Sequence, residues 1–169
     1  IALESATKFL KAGAQAVKLE GGQRVAETVS RLVESGIPVM GHIGLTPQSV
    51  NVFGGYKVQG RGEQAQSLLQ DAKSLENSGA FAIVLEAIPS ELAKQITESI
   101  SIPTIGIGAG PDTDAQVMVW QDLVGLTSGP KPKFVKNYLN LRQEIEKAVK
   151  DFSSDVATGK YPDKDHSYE

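Results

Sequence analysis

Four ionisable side chains stand at the ends of short apolar runs: Lys18, Glu20, His42 and Glu86. If these runs are strands of one parallel sheet, their carboxyl ends share an edge, and α/β proteins bind ligands at that edge. A carboxylate there can act as a general acid or base, and a lysine can neutralise a developing negative charge. The pattern therefore predicts one shared site.

Lys18 and Glu20 are two residues apart, so on a strand they share a face and can partner each other. Two interpretations stay open for this pair, a structural ion pair inside the fold and a functional pair. Taken alone, His42 is better interpreted as a core histidine whose hydrogen bonds are satisfied than as a site residue.

Glu86 directly follows the apolar run 81–85. A carboxylate in that position is expected to be partly desolvated, which suits it to general acid–base chemistry. The alternative is a capping or salt-bridge role at the start of the helix predicted for 89–99.

The glycines Gly106, Gly108 and Gly110 resemble a phosphate-binding loop, but the signal is weak on its own. Glycines also permit a tight turn or a close approach of backbone, and we favour that interpretation.

Apolar periodicity predicts strands and helices that alternate along the chain. The predicted strands are 16–19, 39–41, 82–85, 102–107 and one within 117–126; the predicted helices are 3–11, 25–35, 63–78, 89–99 and 134–152. A loop rich in Gly, Asn and Gln covers 46–62, and a polar tail follows Gly159.

This alternation indicates the α/β class with a parallel sheet, either a (βα)8 TIM barrel or a doubly wound sheet. We slightly favour the barrel. A barrel needs eight strands and about 250 residues, and this chain has 169. It begins with Ile1 in what is predicted to be a helix. We therefore expect 1–169 to be a single barrel domain that is incomplete at its N-terminus, supplying the last five βα units, a C-terminal helix and a tail.

Composition excludes several functional classes. The net charge is −3, whereas nucleic acids and acidic membranes require a basic surface. The sequence has no cysteine, which excludes disulfides, thiolate catalysis and cysteine-bound metals. It also has no apolar run near the ~20 residues that span a bilayer.

Several motifs, in one order, resemble those of the ketopantoate hydroxymethyltransferase family. They are VKLEGG at 17–22, GHIGLTPQ at 41–48, FGGYKVQGR at 53–61, VLEAIP at 84–89, GIGAG at 106–110 and KFVK at 133–136. The tail, with YP at 161–162 and HSY at 166–168, continues the resemblance along essentially the whole chain. The family often has Cys within 111–116 and His at position 121, where this chain has Gln121; neither position is assigned to the chemistry.

The resemblance implies transfer of a hydroxymethyl group from 5,10-methylenetetrahydrofolate to 3-methyl-2-oxobutanoate, giving 2-dehydropantoate for pantothenate and coenzyme A synthesis. It implies Glu86 as the general base, Lys18 and His42 as substrate-binding residues, and Glu20 at a divalent cation, Mg²⁺ by analogy. Two further metal-binding aspartates of the family would precede Ile1.

The resemblance also implies a cytoplasmic homo-oligomer, commonly a decamer, and association with an N-terminal segment outside this numbering. Two alternatives remain open. One is a Schiff-base aldolase with Lys18 as nucleophile, although Glu20 on the same face favours the charged ammonium that such a mechanism must lose. The other is a non-catalytic, truncated assembly module.

Overall fold

A parallel β-sheet forms the centre of the computed structural model, which describes residues 1–52 and 54–168. The chain divides into two units, Ile1–Val117 and Met118–Glu169. Within the described residues, the strands of the first unit are β1 (Val17–Glu20), β2 (Val39–Gly44), β3 (Ala82–Glu86), β4 (Thr104–Ile107) and β5 (Ala115–Gln116). Its helices are α1 (Ala2–Lys11), α2 (Ala26–Glu34), α3 (Gln64–Asn77) and α4 (Ser90–Ser99).

The strand order is β1-β2-β3-β4-β5, and every neighbouring pair is parallel. A doubly wound sheet reverses its strand order at a switch point, whereas consecutive βα units of a barrel do not. Within the described residues the order shows no reversal. The prediction of an α/β fold with a partial TIM-barrel sheet is therefore confirmed.

The face of the sheet that lies against the helices is apolar. Val39, Ile43, Ile83 and Leu85 belong to the buried core that packs against the helices. Each such side chain contributes about 1.5–3 kcal/mol when it is fully buried. Because successive side chains alternate between faces, the residues between them must project to the other side. The alternation that builds the core thus also sets the position of the polar residues.

The first four predicted strands and helices are confirmed, with ends that differ by up to three residues. The strand predicted within 117–126 is wrong: the chain pairs with β4 at Ala115–Gln116, and Trp120–Leu123 forms a short helix, α5. Asp114 holds the first residue of β4, since the backbone N–H of Thr104 donates to its carboxylate at 2.8 Å. Pairing with β4 therefore starts directly after Asp114, before the apolar residues that suggested the strand.

The C-terminal helix α6 runs from Leu141 to Ala157, so the prediction of 134–152 is wrong at both ends. The backbone N–H groups of Tyr138 and Leu141 donate to carbonyls of Leu123 and Val124, which keeps the preceding segment out of a helix. The polar tail after Gly159 contains the short turn Lys164–His166. Across 1–52 and 54–168, no helix is both long and apolar enough to cross a membrane.

The contact between Asp114 and Thr104 predicts a pH-dependent stability. Hydrogen bonds from the Thr104 backbone N–H and hydroxyl hold the pKa of Asp114 below its usual value. A carboxylate with a lowered folded-state pKa stabilises the fold fully above its unfolded pKa, about 3.9, and loses that effect as the pH falls through the folded-state pKa. Asp114→Ala should therefore lower the melting temperature by roughly 4 °C at pH 7 and by less near pH 3.

Thermal unfolding of the whole protein at steps between pH 7 and pH 3 measures this difference. Asp112→Ala, a change at an exposed aspartate of the same loop, is the control and should have little effect. A gap between wild type and Asp114→Ala that stays constant with pH would contradict the assignment.

Candidate active site

The strand register brings the four predicted residues to one face of the sheet. Glu20 of β1 lies opposite His42 of β2, and Gly44 of β2 lies opposite Glu86 of β3. Lys18 is two residues before Glu20 and so shares its face. The side chains named in the sequence analysis therefore form one cluster at the carboxyl ends of three neighbouring strands.

Lys18 contacts both of its neighbours in the cluster. Its Nζ lies 2.9 Å from Nδ1 of His42 and 3.4 Å from Oε1 of Glu20. The side chain of Lys18 is 44% exposed, against 15% for Glu20 and 4% for His42. The expected pairing of Lys18 and Glu20 is present, and His42 adds a second partner for the ammonium group.

His42 is buried but is not the fully satisfied core histidine that its sequence context favoured. An ammonium group only donates hydrogen bonds, so the contact with Lys18 favours the tautomer in which Nδ1 accepts and Nε2 carries the ring proton. Nε2 is 3.1 Å from Oε2 of Glu86, a hydrogen-bonding distance, yet it has no partner of acceptable angle among the described residues. The two side chains are therefore in contact, but the Nε2–H does not point at the carboxylate.

Hydrogen bonds at the end of β3 fix the backbone of Glu86. The carbonyl of Glu86 accepts from the backbone N–H of Leu45 at 2.8 Å, and Ala87 donates to the Ile107 carbonyl at 2.9 Å. Ala87 has a φ of 48°, a left-handed conformation that costs a non-glycine residue roughly 1–2 kcal/mol. Such strain next to a site residue is characteristic of functional sites. The Glu86 side chain is 16% exposed, so it is largely buried at this position.

Two backbone contacts to the cluster were not predicted from the sequence. The N–H of Gln48 donates to Oε2 of Glu20 at 3.0 Å, and the N–H of Gln59 donates to the Ala87 carbonyl at 2.9 Å. Pro47, which opens the short turn Pro47–Ser49, is the sequence signal that could have indicated the first contact. The motif at 53–61 contributes the second, and its first residue, Phe53, lies outside the described residues.

The glycine run follows β4 and approaches other parts of the chain closely. A Cβ on Gly106 would lie 2.6 Å from Oγ1 of Thr113, and one on Gly110 would overlap Ser90 at the start of α4. Gly110 also has a φ of 82°. The tight-turn and close-approach interpretation is therefore confirmed at these two positions.

These side chains do not make a complete metal site by themselves. Among residues 1–52 and 54–168, no group of three or more His, Cys, Asp or Glu side chains is arranged to hold a metal ion. Glu20, the residue expected to bind a cation, offers hard carboxylate oxygens. One of them, Oε2, already accepts a hydrogen bond from the Gln48 backbone N–H. A divalent cation at this edge would need oxygen ligands in addition to Glu20.

The cluster combines a partly buried carboxylate, an imidazole N–H and an ammonium group. A carboxylate in this setting can remove a proton from a carbon acid, and the two cationic or N–H groups can stabilise the anion that forms. The fold is therefore that of an α/β-barrel protein, and the cluster at the carboxyl ends of its strands is the candidate for an acid–base site.

Comparison with known proteins specifies the family. A family model described as Ketopantoate hydroxymethyltransferase matches residues 1–164, and the chain belongs to this family. Proteins called 3-methyl-2-oxobutanoate hydroxymethyltransferase are 60% identical in Acidothermus cellulolyticus and 59% identical in Thermobifida fusca. Each alignment covers 99% of this chain, and 62% and 60% of those relatives. The chain thus spans about three fifths of the length of the curated relatives it matches.

The contact with Lys18 predicts the tautomer of His42. We expect the neutral ring to carry its proton on Nε2, and Lys18→Met should remove the donor to Nδ1 and shift that nitrogen's resonance. Long-range ¹H–¹⁵N spectra of protein labelled in histidine distinguish the two tautomers, and His166 in the tail is the internal control. A proton found on Nδ1 of His42 in the wild type would contradict the arrangement.

Proposed function

We propose that the protein containing this chain transfers a hydroxymethyl group from 5,10-methylenetetrahydrofolate to 3-methyl-2-oxobutanoate, giving 2-dehydropantoate and tetrahydrofolate in pantothenate biosynthesis. Family membership and the shared name of the relatives support this reaction. The observation that carries it is the convergence of Glu86, His42 and Lys18 on one face at the carboxyl ends of the strands.

Glu86 is the general base of this proposal. The substrate carbon beside the ketone must lose a proton before it can form a new carbon–carbon bond. The Glu86 carboxylate takes that proton from C3, and the electron pair of the broken C–H bond becomes the C2–C3 double bond of an enolate. C3 then bonds to the methylene carbon of the folate as the enolate returns to the ketone. Both bonds from that carbon to the folate nitrogens break, a water supplies the hydroxyl oxygen, and tetrahydrofolate leaves with the two protons on its nitrogens. The Glu86 side chain is only 16% exposed, so little water competes for it.

Lys18 and His42 hold the anionic substrate. The Lys18 ammonium neutralises the substrate carboxylate or the negative charge that develops on the ketone oxygen. The Lys18 side chain can contact a substrate because it is more exposed than those of His42 and Glu86. Its contact with His42 Nδ1 fixes its direction. The Nε2–H of His42, which has no hydrogen-bond partner among the described residues, is available to orient the substrate or a water beside Glu86.

We further propose Mg²⁺ or a similar divalent cation as cofactor, with Glu20 as its ligand in this chain. When bound, the cation supplies polarisation of the 2-oxo acid. Hard oxygen donors suit such an ion, and further ligands must come from outside the described cluster. We propose that they belong to an N-terminal segment that pairs with β1, which lies at the edge of the described sheet.

A homo-oligomer located in the cytoplasm is part of the same proposal. The helix α6 carries an apolar stripe at helical spacing, formed by Ile145, Val149, Phe152 and Val156, each about half exposed. A stripe of this kind on a helix surface supports packing against another chain.

Replacement of Glu86 tests the base assignment. Glu86→Gln keeps the shape of the side chain but cannot accept the proton, so turnover should fall by roughly 100-fold or more while the fold is kept. Deuterium exchange at C3 of 3-methyl-2-oxobutanoate, measured on the whole protein, reports this step directly. Glu91→Gln, a change at an exposed carboxylate in the first turn of α4, is the matched control. Near-normal exchange by Glu86→Gln would remove Glu86 from the base role.

Removal of metal tests the cofactor. Activity of the whole protein should be lost after dialysis against a chelator and should return when Mg²⁺ is added. Circular dichroism before and after dialysis checks that the fold is retained. Full turnover after exhaustive chelation would rule the cation out of the reaction.

A further inference from the structure

A carboxylate that the proposed chemistry does not use holds the turn directly after Glu20. Asp71 lies on α3, outside the sheet, and its Oδ1 accepts a hydrogen bond from the backbone N–H of Gln23 at 2.8 Å. Gln23 opens the short turn Gln23–Val25 three residues after Glu20. The contact joins two positions 48 residues apart in the chain, so it ties the helix layer to the end of β1.

Gly22 makes this contact possible because it has no side chain. A Cβ at this position would overlap the Asp71 carboxylate. The carboxylate therefore lies directly against the backbone of the turn, and Gly22 itself is buried. The close approach of Asp71 thus explains why a glycine, Gly22, stands at the end of the motif at 17–22.

A chain of contacts leads from Asp71 to the Glu20 carboxylate by two routes. The first is the backbone from Gln23 back to Glu20. In the second, Arg24 donates to the hydroxyl of Ser49 at 3.1 Å, and the neighbouring residue Gln48 donates to Oε2 of Glu20 at 3.0 Å. The two turns that flank Glu20 are therefore joined to each other, and Asp71 anchors one of them to α3.

On one side the turn borders open space and not packed side chains. A cavity of about 250 Å³ lies beside it, lined among others by Gly22, Arg24, Ser49 and Asp71. Open space beside a turn lets it shift when a hydrogen bond is lost, whereas a close-packed surface would hold it. The position of the turn therefore depends on its hydrogen bonds: the Gly21 N–H donates to the His42 carbonyl at 2.9 Å, Arg24 donates to Ser49, and the Gln23 N–H donates to Asp71. The bond to Asp71 is the hydrogen bond that ties the turn to α3.

We propose that Asp71 is a positioning residue that acts through Glu20: it fixes the Gln23 turn and so holds the Glu20 carboxylate beside Lys18 and His42. The proposal rests on the proposed function for its effect on turnover. Residues that orient a site residue typically change activity by 10–100-fold when they are replaced.

A double-mutant cycle on the whole protein tests the coupling. Asp71→Ala should lower kcat/KM by roughly 10–100-fold. The same change in a Glu20→Gln background should lower it by less than about 3-fold, because the residue through which it acts is already altered. Asp71→Asn keeps an acceptor oxygen for the Gln23 N–H and should stay within about 3-fold of wild type.

The matched control lies on the same helix. Glu76 of α3 also accepts from a backbone N–H, that of Ser101 at 2.6 Å, but this contact is remote from the cluster. Glu76→Ala should lower stability without the loss of kcat/KM. If Asp71→Ala does not fold, Gly22→Ala serves in its place, because its Cβ displaces the same carboxylate and should give the same loss and the same coupling.

Hydrogen exchange gives a readout that does not need turnover. Asp71→Ala should reduce amide protection at Gln23 directly and at Gln48 through Glu20, while Glu76→Ala should leave both unchanged. If the wild type shows no turnover, the proposed function fails, and loss of protection at Gln48 still supports the positioning role. Equal losses of kcat/KM in both backgrounds, or unchanged protection at Gln48, would overturn it.

Discussion

The parallel register between β1 and β2 is the constraint on which the rest of the structure depends. It sets Glu20 opposite His42, and the alternation of side chains then sends Val39 and Ile43 to the helices while His42 faces the site. A shift of one residue would bury the ionisable groups in the core and expose the aliphatic ones. Burial of the aliphatic face therefore fixes the geometry of the polar face.

The polar face is maintained at a cost in stability. A buried donor that lacks a partner costs about 1–3 kcal/mol, and Nε2 of His42 is such a group among the described residues. Ala87, next to Glu86, adds backbone strain in its left-handed conformation. Sequences that serve stability alone avoid both features, whereas sites that must bind a ligand retain them. Both features therefore support the proposal that this cluster binds a ligand.

Sequence could predict the parts of the fold that local patterns determine. The helices α1 to α4 and the strands β1 to β4 follow from apolar periodicity, and the four site residues follow from polar groups at the ends of apolar runs. The start of β5 depends on the Asp114–Thr104 contact, and the start of α6 depends on carbonyls of Leu123 and Val124. The bond from Gln23 to Asp71 spans 48 residues, and no local pattern contains it.

The cluster contains the groups for proton transfer but not a full set of metal ligands. Glu86 and His42 lie in the middle of the described sheet, held by strands on both sides, whereas Lys18 and Glu20 lie on its edge strand. Lys18 and Glu20 consequently have a neighbouring strand on one side only within the described sheet. Two hydrogen bonds of the turns after β1 and β2 add support: the Gln48 N–H donates to Glu20, and the Gln23 N–H donates to Asp71. A segment that pairs with the outer edge of β1 would act first on Lys18 and Glu20, the residues proposed to hold the substrate charge and the cation. The positions of Glu86 and His42 are therefore set by the core of this chain, while those of Lys18 and Glu20 depend more on what surrounds β1.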